Sequence, residues 1–137
     1  MSPKIFHNTN DPAEIVNFET ALMNGLGSNF GLYTVPKRKI PKISREQIRN
    51  LAGQPYAKVA YEVLAPFIGD EIPAADFRPM LRDAYPEEMQ PILENIVGET
   101  NIMWLTEGPT YSFKDYAARF FGRVLNYFLL EKKEHRT

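Results

Sequence analysis

Apolar side chains recur every three to four positions through much of the chain, a spacing that predicts amphipathic helices. The longest helix is predicted from near Phe113 to about Lys132. Its first apolar row is Phe113, Ala117, Phe120, Val124 and Phe128, and the next row continues from Lys114 through Ala118, Phe121, Leu125 and Leu129. Such a broad stripe predicts burial over much of the circumference. Lys114 is therefore expected either to extend its amine to solvent or to face an enclosed pocket.

Shorter helices are predicted at about Asn17 to Asn24, from Ser44 through Leu51, at Pro55 to Phe67, after Pro73 with Phe77, Met80, Leu81 and Ala84 inward, and within Pro86 to Ile96. Asn17 is a suitable cap for the first helix and Gly25 a natural stop. Residues 11–14, with Pro12 at the first helical position, offer an alternative start. Ser44 and Gln47 match a capping box.

Three extended segments are also predicted: an edge strand at Lys4 to His7, a segment from Gly31 to Val35, and a buried strand at Ile102 to Leu105. The intervening run Gly25 to Gly31, GLGSNFG, is interpreted as an ordinary loop. A dinucleotide-binding loop needs a different glycine spacing and must follow a strand. Together these elements predict an α+β fold that is mostly helical with a few short strands.

The composition of the chain argues against several kinds of binding partner and site. The 137 residues suit one domain and are 44% hydrophobic, which is enough for a core. Sixteen basic and seventeen acidic residues give a net charge of −1, which argues against a nucleic-acid or anionic-membrane footprint. The absence of cysteine excludes disulfides and thiolate chemistry. His7 and His135 lie near opposite ends, so no metal cluster is predicted. No signal peptide or membrane span is recognised, which predicts a cytoplasmic protein.

The segment Leu105 to Asp115, LTEGPTYSFKD, carries the candidate chemistry. Ser112 and Asp115 form an S-x-x-D capping pattern, which makes Lys114 the second residue of the last helix. The positive helix N-terminus disfavours an ammonium group and favours the neutral amine. A neutral amine is the nucleophile that forms a Schiff base with an aldehyde cofactor. A solvated lysine with no catalytic role remains the alternative.

Several segments, taken in order, resemble the N-terminal part of the threonine synthase family. They are Phe18 to Leu26, Gly31 to Tyr33 with Pro36, Pro41 to Ser44, Tyr56 to Ala60 and Glu107 to Asp115. The last segment resembles the one that attaches pyridoxal 5'-phosphate in these fold-type II enzymes. The chain departs from the family pattern at Glu107, Tyr111 and residues 29–31.

The resemblance implies that Lys114 is the Schiff-base lysine and a proton carrier, and that Phe113 packs near the cofactor. It implies conversion of O-phospho-L-homoserine and water to L-threonine and phosphate, with the cofactor acting as an electron sink. Residues 1–100 are then the N-terminal helical domain, and residues 101–137 begin the cofactor-binding domain. Family members are several times longer, so the chain is expected to be a truncated form with no appreciable activity alone.

Two alternatives stay open. The chain could be a stand-alone helical interaction module, whose last helix exposes an apolar side for docking or for homo-oligomer formation. It could instead belong to a fold-type II lyase that catalyses another amino-acid elimination or replacement.

Overall fold

The computed structural model describes residues 4–132, so His135 lies outside the described part. The helices are α1 Phe18–Asn24, α2 Arg45–Leu51, α3 Tyr56–Ile68, α4 Ala74–Ala84 and α5 Lys114–Glu131. The strands are β1 Phe6–Asn8, β2 Ile15–Val16, β3 Tyr33–Thr34, β4 Ile92–Val97 and β5 Thr100–Trp104. The fold is the predicted α+β type. Among residues 4–132, every helix is too short or too polar to cross a lipid bilayer.

The chain forms two compact units, and α3 contributes residues to both. The first unit comprises Met1–Asn50 and Glu62–Ala74, and the second comprises Leu51–Tyr61 and Ala75–Thr137.

The first unit contains a three-stranded antiparallel sheet in the order β2-β1-β3. The predicted strand at Lys4 to His7 exists as β1, but it is central, so the prediction of an edge strand was wrong. Residues 11–14 form a turn rather than a helix start, because the Asp11 carboxylate accepts from the Ala13 N–H at 3.0 Å. This turn reverses the chain so that β2 pairs with β1. Because β2 has only two residues, the sequence pattern gave no indication of a strand there.

Helix α1 begins and ends as predicted. The Asn17 side chain accepts from the Thr20 N–H at 3.2 Å, and Gly25 ends the helix with a φ of 71°. The Glu71 carboxylate adds a second cap, because it accepts from the backbone N–H groups of Phe18 at 3.0 Å and Glu19 at 2.8 Å. Burial raises the pKa of this carboxyl above its usual range, although both hydrogen bonds act in the opposite direction.

The capping box of α2 is also confirmed. The Ser44 hydroxyl accepts from the Gln47 N–H at 3.1 Å, and the Gln47 side-chain oxygen accepts from the Ser44 N–H at 2.8 Å. Two backbone donors at the helix start are thereby satisfied reciprocally.

The second unit has an aromatic core. Phe77 and Leu81 of α4 are fully buried, and Ala84 ends the same helical face, as the apolar spacing predicted. The Phe77 ring packs against Tyr61 of α3 and Phe120 of α5. The other buried apolar residues of this unit are Ala57, Ala60, Tyr85, Met89, Tyr116, Val124 and Phe128.

Residues 86–104 differ from the prediction. A short 3₁₀ turn covers Glu87–Met89, and the expected helix is replaced by strand β4, which pairs antiparallel with β5. Gly98 turns the hairpin with a φ of 57°, and the β-branched residues of β4 suit an extended backbone. Every residue of both strands is exposed, so the prediction of a buried strand at Ile102 to Leu105 was wrong in its burial. Among the described residues, no third strand pairs with this hairpin.

Helix α5 has the predicted length but a narrower buried face. Its buried residues are Asp115, Tyr116, Val124 and Phe128. The row that begins at Lys114 is exposed or half-buried throughout, so the expectation of burial over much of the circumference was wrong. The buried apolar face of α5 begins at Tyr116 and continues through Val124 and Phe128. The apolar body of the Tyr116 ring suits this core position, whereas Phe113, which was expected to begin the buried row, is exposed.

Candidate functional site

A tight turn precedes α5. The Gly108 carbonyl accepts from the Tyr111 N–H at 3.0 Å. Tyr111 takes a left-handed backbone conformation, with a φ of 56°, and 80% of its side chain is exposed. A left-handed conformation costs a residue with a Cβ about 1–2 kcal/mol. Surrounding contacts must therefore hold this turn in place.

Gly108, Thr110 and Asp115 supply those contacts, and we call them the Asp115 network. The buried Asp115 carboxylate accepts from the Thr110 N–H and the Thr110 hydroxyl, both at 2.8 Å. A Cβ on Gly108 would lie 2.3 Å from a carboxylate oxygen, so only glycine fits there. Burial by itself raises the pKa of Asp115, but the hydrogen bonds from Thr110 and the Ser112 backbone bring that pKa below its ordinary value.

The predicted capping box is only partly formed. The Ser112 hydroxyl accepts from the Lys114 N–H at 3.3 Å, and the Ser112 carbonyl accepts from the Asp115 N–H at 2.9 Å. The residue that caps α5 is Phe113, whose backbone is already helical and which makes no side-chain cap bond. Lys114 is therefore the first helical residue rather than the second. The Asp115 carboxylate binds Thr110, an arrangement that the S-x-x-D pattern did not predict.

The two predicted site residues both face outward. The Lys114 side chain is exposed, and Phe113 is 67% exposed. Phe113 helps to line an open, mostly apolar depression, together with Ile102, Met103, Trp104, Leu105, Thr106, Tyr111 and Ser112. Lys114 follows Phe113 in the sequence, and its side chain is exposed.

A second polar network lies in the first unit, and it was not predicted from the sequence. The Asn8 side chain is 2% exposed and donates to the Glu14 carboxylate at 2.7 Å and to the Ser28 carbonyl at 2.9 Å. A Cβ on Gly27 or Gly31 would collide with Asn8, at 2.4 and 1.6 Å. We call these five residues the Asn8 network. It explains Gly27 and Gly31 of the GLGSNFG loop as packing requirements, whereas Gly25 is required by the positive φ that ends α1.

Glu14 is the charged centre of the Asn8 network. Its carboxylate accepts from the Ser28 hydroxyl at 2.6 Å, the Ser28 N–H at 2.9 Å and the Tyr33 hydroxyl. These bonds, with the one from Asn8, lower the pKa of Glu14 from 4.5 to about 2. Glu14 and its partners lie 6 to 19 positions apart in the sequence, so no local motif could have revealed them.

Comparison with known proteins identifies the family of the chain. Residues 5–85 match the family described as threonine synthase N terminus. The chain belongs to the threonine synthase family. It is 35% identical to threonine synthase from Pseudomonas aeruginosa over 129 residues, which cover 92% of this chain and 27% of that enzyme. It is 31% identical to the Saccharomyces cerevisiae enzyme, over 83% of this chain and 24% of that one.

Solved threonine synthases share the fold. The pyridoxal-phosphate-bound enzyme from Brucella melitensis superposes with a TM-score of 0.87 at 36% identity and covers 96% of this chain. The Escherichia coli enzyme gives a TM-score of 0.79 at 30% identity and covers 89%. The chain spans 28% of the length of each. Its fold is therefore that of the N-terminal region of a fold-type II threonine synthase.

The described residues fit part of the cofactor that the family implies. Lys114 would supply the amine for the aldehyde carbon, and the apolar and aromatic side chains of the depression that Phe113 lines would meet one face of a pyridine ring. The depression has no basic side chain in its lining. The phosphate of such a cofactor therefore has no charged partner on this surface.

Proposed function

We propose that this chain supplies the N-terminal region and the cofactor-linking lysine of a threonine synthase. The proposed enzyme is a pyridoxal-phosphate-dependent lyase that converts O-phospho-L-homoserine and water to L-threonine and phosphate in the cytoplasm. The observation that supports this proposal most directly is the geometry of residues 108–115, where the Asp115 network fixes the start of the helix that bears Lys114. Membership of the threonine synthase family supports this assignment.

Each residue of the segment has a defined part in the proposal. Lys114 would hold the aldehyde group of the cofactor through its Nζ and would carry protons as a free amine. Asp115, through Thr110, would fix the backbone that orients Lys114 and is a positioning residue. Phe113 would cover part of one face of the cofactor ring and exclude water there. Pyridoxal phosphate, when bound, would supply an electron sink for proton loss from the substrate.

The domain organisation is part of the same proposal. Residues 1–100 form the N-terminal domain and residues 101–137 begin the cofactor-binding domain, with the β4–β5 hairpin crossing this boundary. The apolar surface of the hairpin, which includes Leu93, Val97 and Met103, is exposed. We expect the remainder of a threonine synthase chain to pack against it and to supply the partners for the cofactor phosphate.

A chimera tests the function directly. This chain replaces the matching 27% of the P. aeruginosa enzyme, and phosphate release from O-phospho-L-homoserine is measured. We expect activity in the chimera and its loss in Lys114→Ala, because no other group replaces the amine. Lys42→Ala, at an exposed lysine distant from this segment in the sequence, is the matched control and should keep activity. An inactive chimera that nevertheless binds the cofactor would assign another reaction to the site, and equal activity of Lys114→Ala would refute the role of the lysine.

The isolated chain is expected to bind pyridoxal phosphate weakly and without appreciable lyase activity. A lysine in an open depression forms an imine but holds the cofactor by little else. Titration followed by imine absorbance checks this. A weak signal that Lys114→Ala only reduces is expected, and tight stoichiometric binding would contradict the proposal.

A second candidate function is self-association through α5. On this helix Phe121 is 48% exposed, and it shares one row with the exposed Ala118 and the half-buried Leu125, so the row offers an apolar surface for association. Light scattering coupled to size exclusion tests it. A dimer that Phe121→Ser dissociates supports a homo-oligomer, and a monomer at all concentrations excludes it.

A further inference from the structure

A cationic cleft lies within the second unit, between the first turns of α3 and the middle of α4. Its volume is about 190 Å³, which is room for several water molecules. The lining residues are Pro55, Ala57, Lys58, Tyr61, Arg78 and Arg82. Three of these six side chains are cations, none is an anion, and none belongs to the segment that carries Lys114.

One of the cations is held in place. The Arg78 guanidinium carbon lies 3.7 Å from the centroid of the Tyr61 ring, a cation–π contact. Stacking uses the face of the guanidinium and leaves its N–H edges free to donate. An arginine that is already ordered loses less conformational entropy when an anion binds.

The cations of the cleft form no salt bridge with a carboxylate of the described residues. Lys58 donates to the neutral Gln54 side chain at 3.1 Å, and among residues 4–132 no carboxylate forms a salt bridge with Lys58, Arg78 or Arg82. Arg78 and Arg82 lie one helical turn apart, where like charges repel. The chain as a whole carries a net charge of −1, so a general basic excess does not explain the cluster.

We propose that this cleft binds a small organic phosphate monoester. The three cations would surround the phosphate, and Arg78 and Arg82 can each donate two hydrogen bonds to it. Pro55, Ala57 and the Tyr61 ring form an apolar wall for a short carbon chain attached to the phosphate. This site does not depend on the proposed function.

Propyl phosphate is the probe, with inorganic phosphate and propanol as comparisons, all at a fixed ionic strength because salt screens such contacts. Binding is followed by the backbone amide NMR shifts of the full chain. We expect saturable shifts centred on Lys58, Tyr61 and Arg78, and tighter binding of propyl phosphate than of inorganic phosphate. Equal affinity for the two would overturn the organic-phosphate assignment, and shifts that never saturate would overturn the site.

Two matched variants sharpen the test. Arg82→Gln removes one charge-assisted contact and should weaken propyl phosphate binding by about tenfold. Arg49→Gln, at an exposed arginine of α2, should leave the affinity unchanged. An equal loss in both would show that general charge, not this cleft, attracts the anion. The amide spectrum of each variant also reports whether it remains folded.

Discussion

The Asn8 network and the Asp115 network share a construction but differ in what they expose. In each, a buried polar side chain lies against glycine, at Gly27 and Gly31 in one case and at Gly108 in the other. Each also has non-glycine residues with left-handed backbones, Asn29 and Phe30 beside Asn8 and Tyr111 beside Asp115. Both turns are therefore held by hydrogen bonds to a side chain rather than by regular secondary structure.

The difference lies in the neighbouring residues. The Asn8 network is closed, since the Asn8 amide and the Glu14 carboxylate are satisfied by Ser28, Asn10 and Tyr33. The Asp115 network fixes only the backbone, and Lys114 next to it stays exposed. Hydrogen bonds at a helix start can thus fix the backbone of a residue while its side chain remains accessible. Rigidity alone therefore does not distinguish a functional turn from a structural one.

The largest effect is expected from a substitution that disrupts the Asn8 network. In Gly31→Ala the new methyl would lie 1.6 Å from the Asn8 side-chain oxygen and 2.9 Å from the Asn10 backbone nitrogen. Because backbone is involved, relaxation is limited, and we expect a loss of about 3 kcal/mol of unfolding free energy. Urea unfolding measures it. A loss below about 1 kcal/mol would show that the loop adapts and that the network is not rigid.

Gly108→Ala tests the Asp115 network. It should lower the free energy of unfolding by about 1–3 kcal/mol, because the new methyl group would collide mainly with the Asp115 side chain. The same change should lower activity in the chimera through the orientation of Lys114, and Thr110→Ser should retain most of it because the hydroxyl remains. Comparison of kcat with KM and of urea midpoints separates orientation from stability. Unchanged kinetics in a destabilised Gly108→Ala variant would reduce the Asp115 network to a structural role.

Acid should weaken the Asn8 network. The pKa of Glu14 is about 2 in the folded protein and 4.5 ordinarily, so its contribution to stability is complete above pH 4.5. That contribution is lost as the pH falls from 4.5 towards 2, because the unfolded chain binds the proton first. Urea midpoints between pH 7 and pH 3 should fall more steeply in the unchanged protein than in Glu14→Gln. Glu46→Gln, on exposed α2, should keep the original slope, and identical slopes in all three would contradict the role of Glu14.

The smallest effect comes from a glycine outside both networks. A methyl on Gly122 of α5 would meet no atom within 4 Å. Gly122→Ala should therefore stabilise the protein by about 0.5–1 kcal/mol, because alanine loses less entropy in a helix. A thermal melt checks the sign. A destabilised variant would mean that α5 is packed more closely there than the structure indicates.

Local signals predicted local structure well. The caps at Asn17 and Ser44, the stop at Gly25 and the inward face of α4 all depend on residues within four positions of each other. The same reasoning failed at β4, where a short apolar run suits a helix or a strand and only the pairing with β5 decides. The buried part of α5 was overestimated. An apolar row in the sequence shows that a helix face can be buried, but it does not show whether another element packs against that face.

The candidate site was predicted in part for the same reason. The turn, the lysine and the adjacent carboxylate are contiguous, so the segment from Leu105 to Asp115 was recognisable. The bond from Asp115 back to Thr110, and the need for glycine at position 108, depend on how the turn closes in space. The Asn8 network joins residues from three separate segments, and a single sequence carries no signal for it.

The most direct test of the proposed function is to locate the lysine that the cofactor modifies. The chimera with the P. aeruginosa enzyme is loaded with pyridoxal phosphate, reduced with borohydride and digested, and the modified peptide is identified by mass spectrometry. We predict one pyridoxyl group per chain, on Lys114, and its absence from Lys114→Ala. A label spread over several lysines, or unchanged in Lys114→Ala, would contradict the assignment of Lys114 as the cofactor-linking residue.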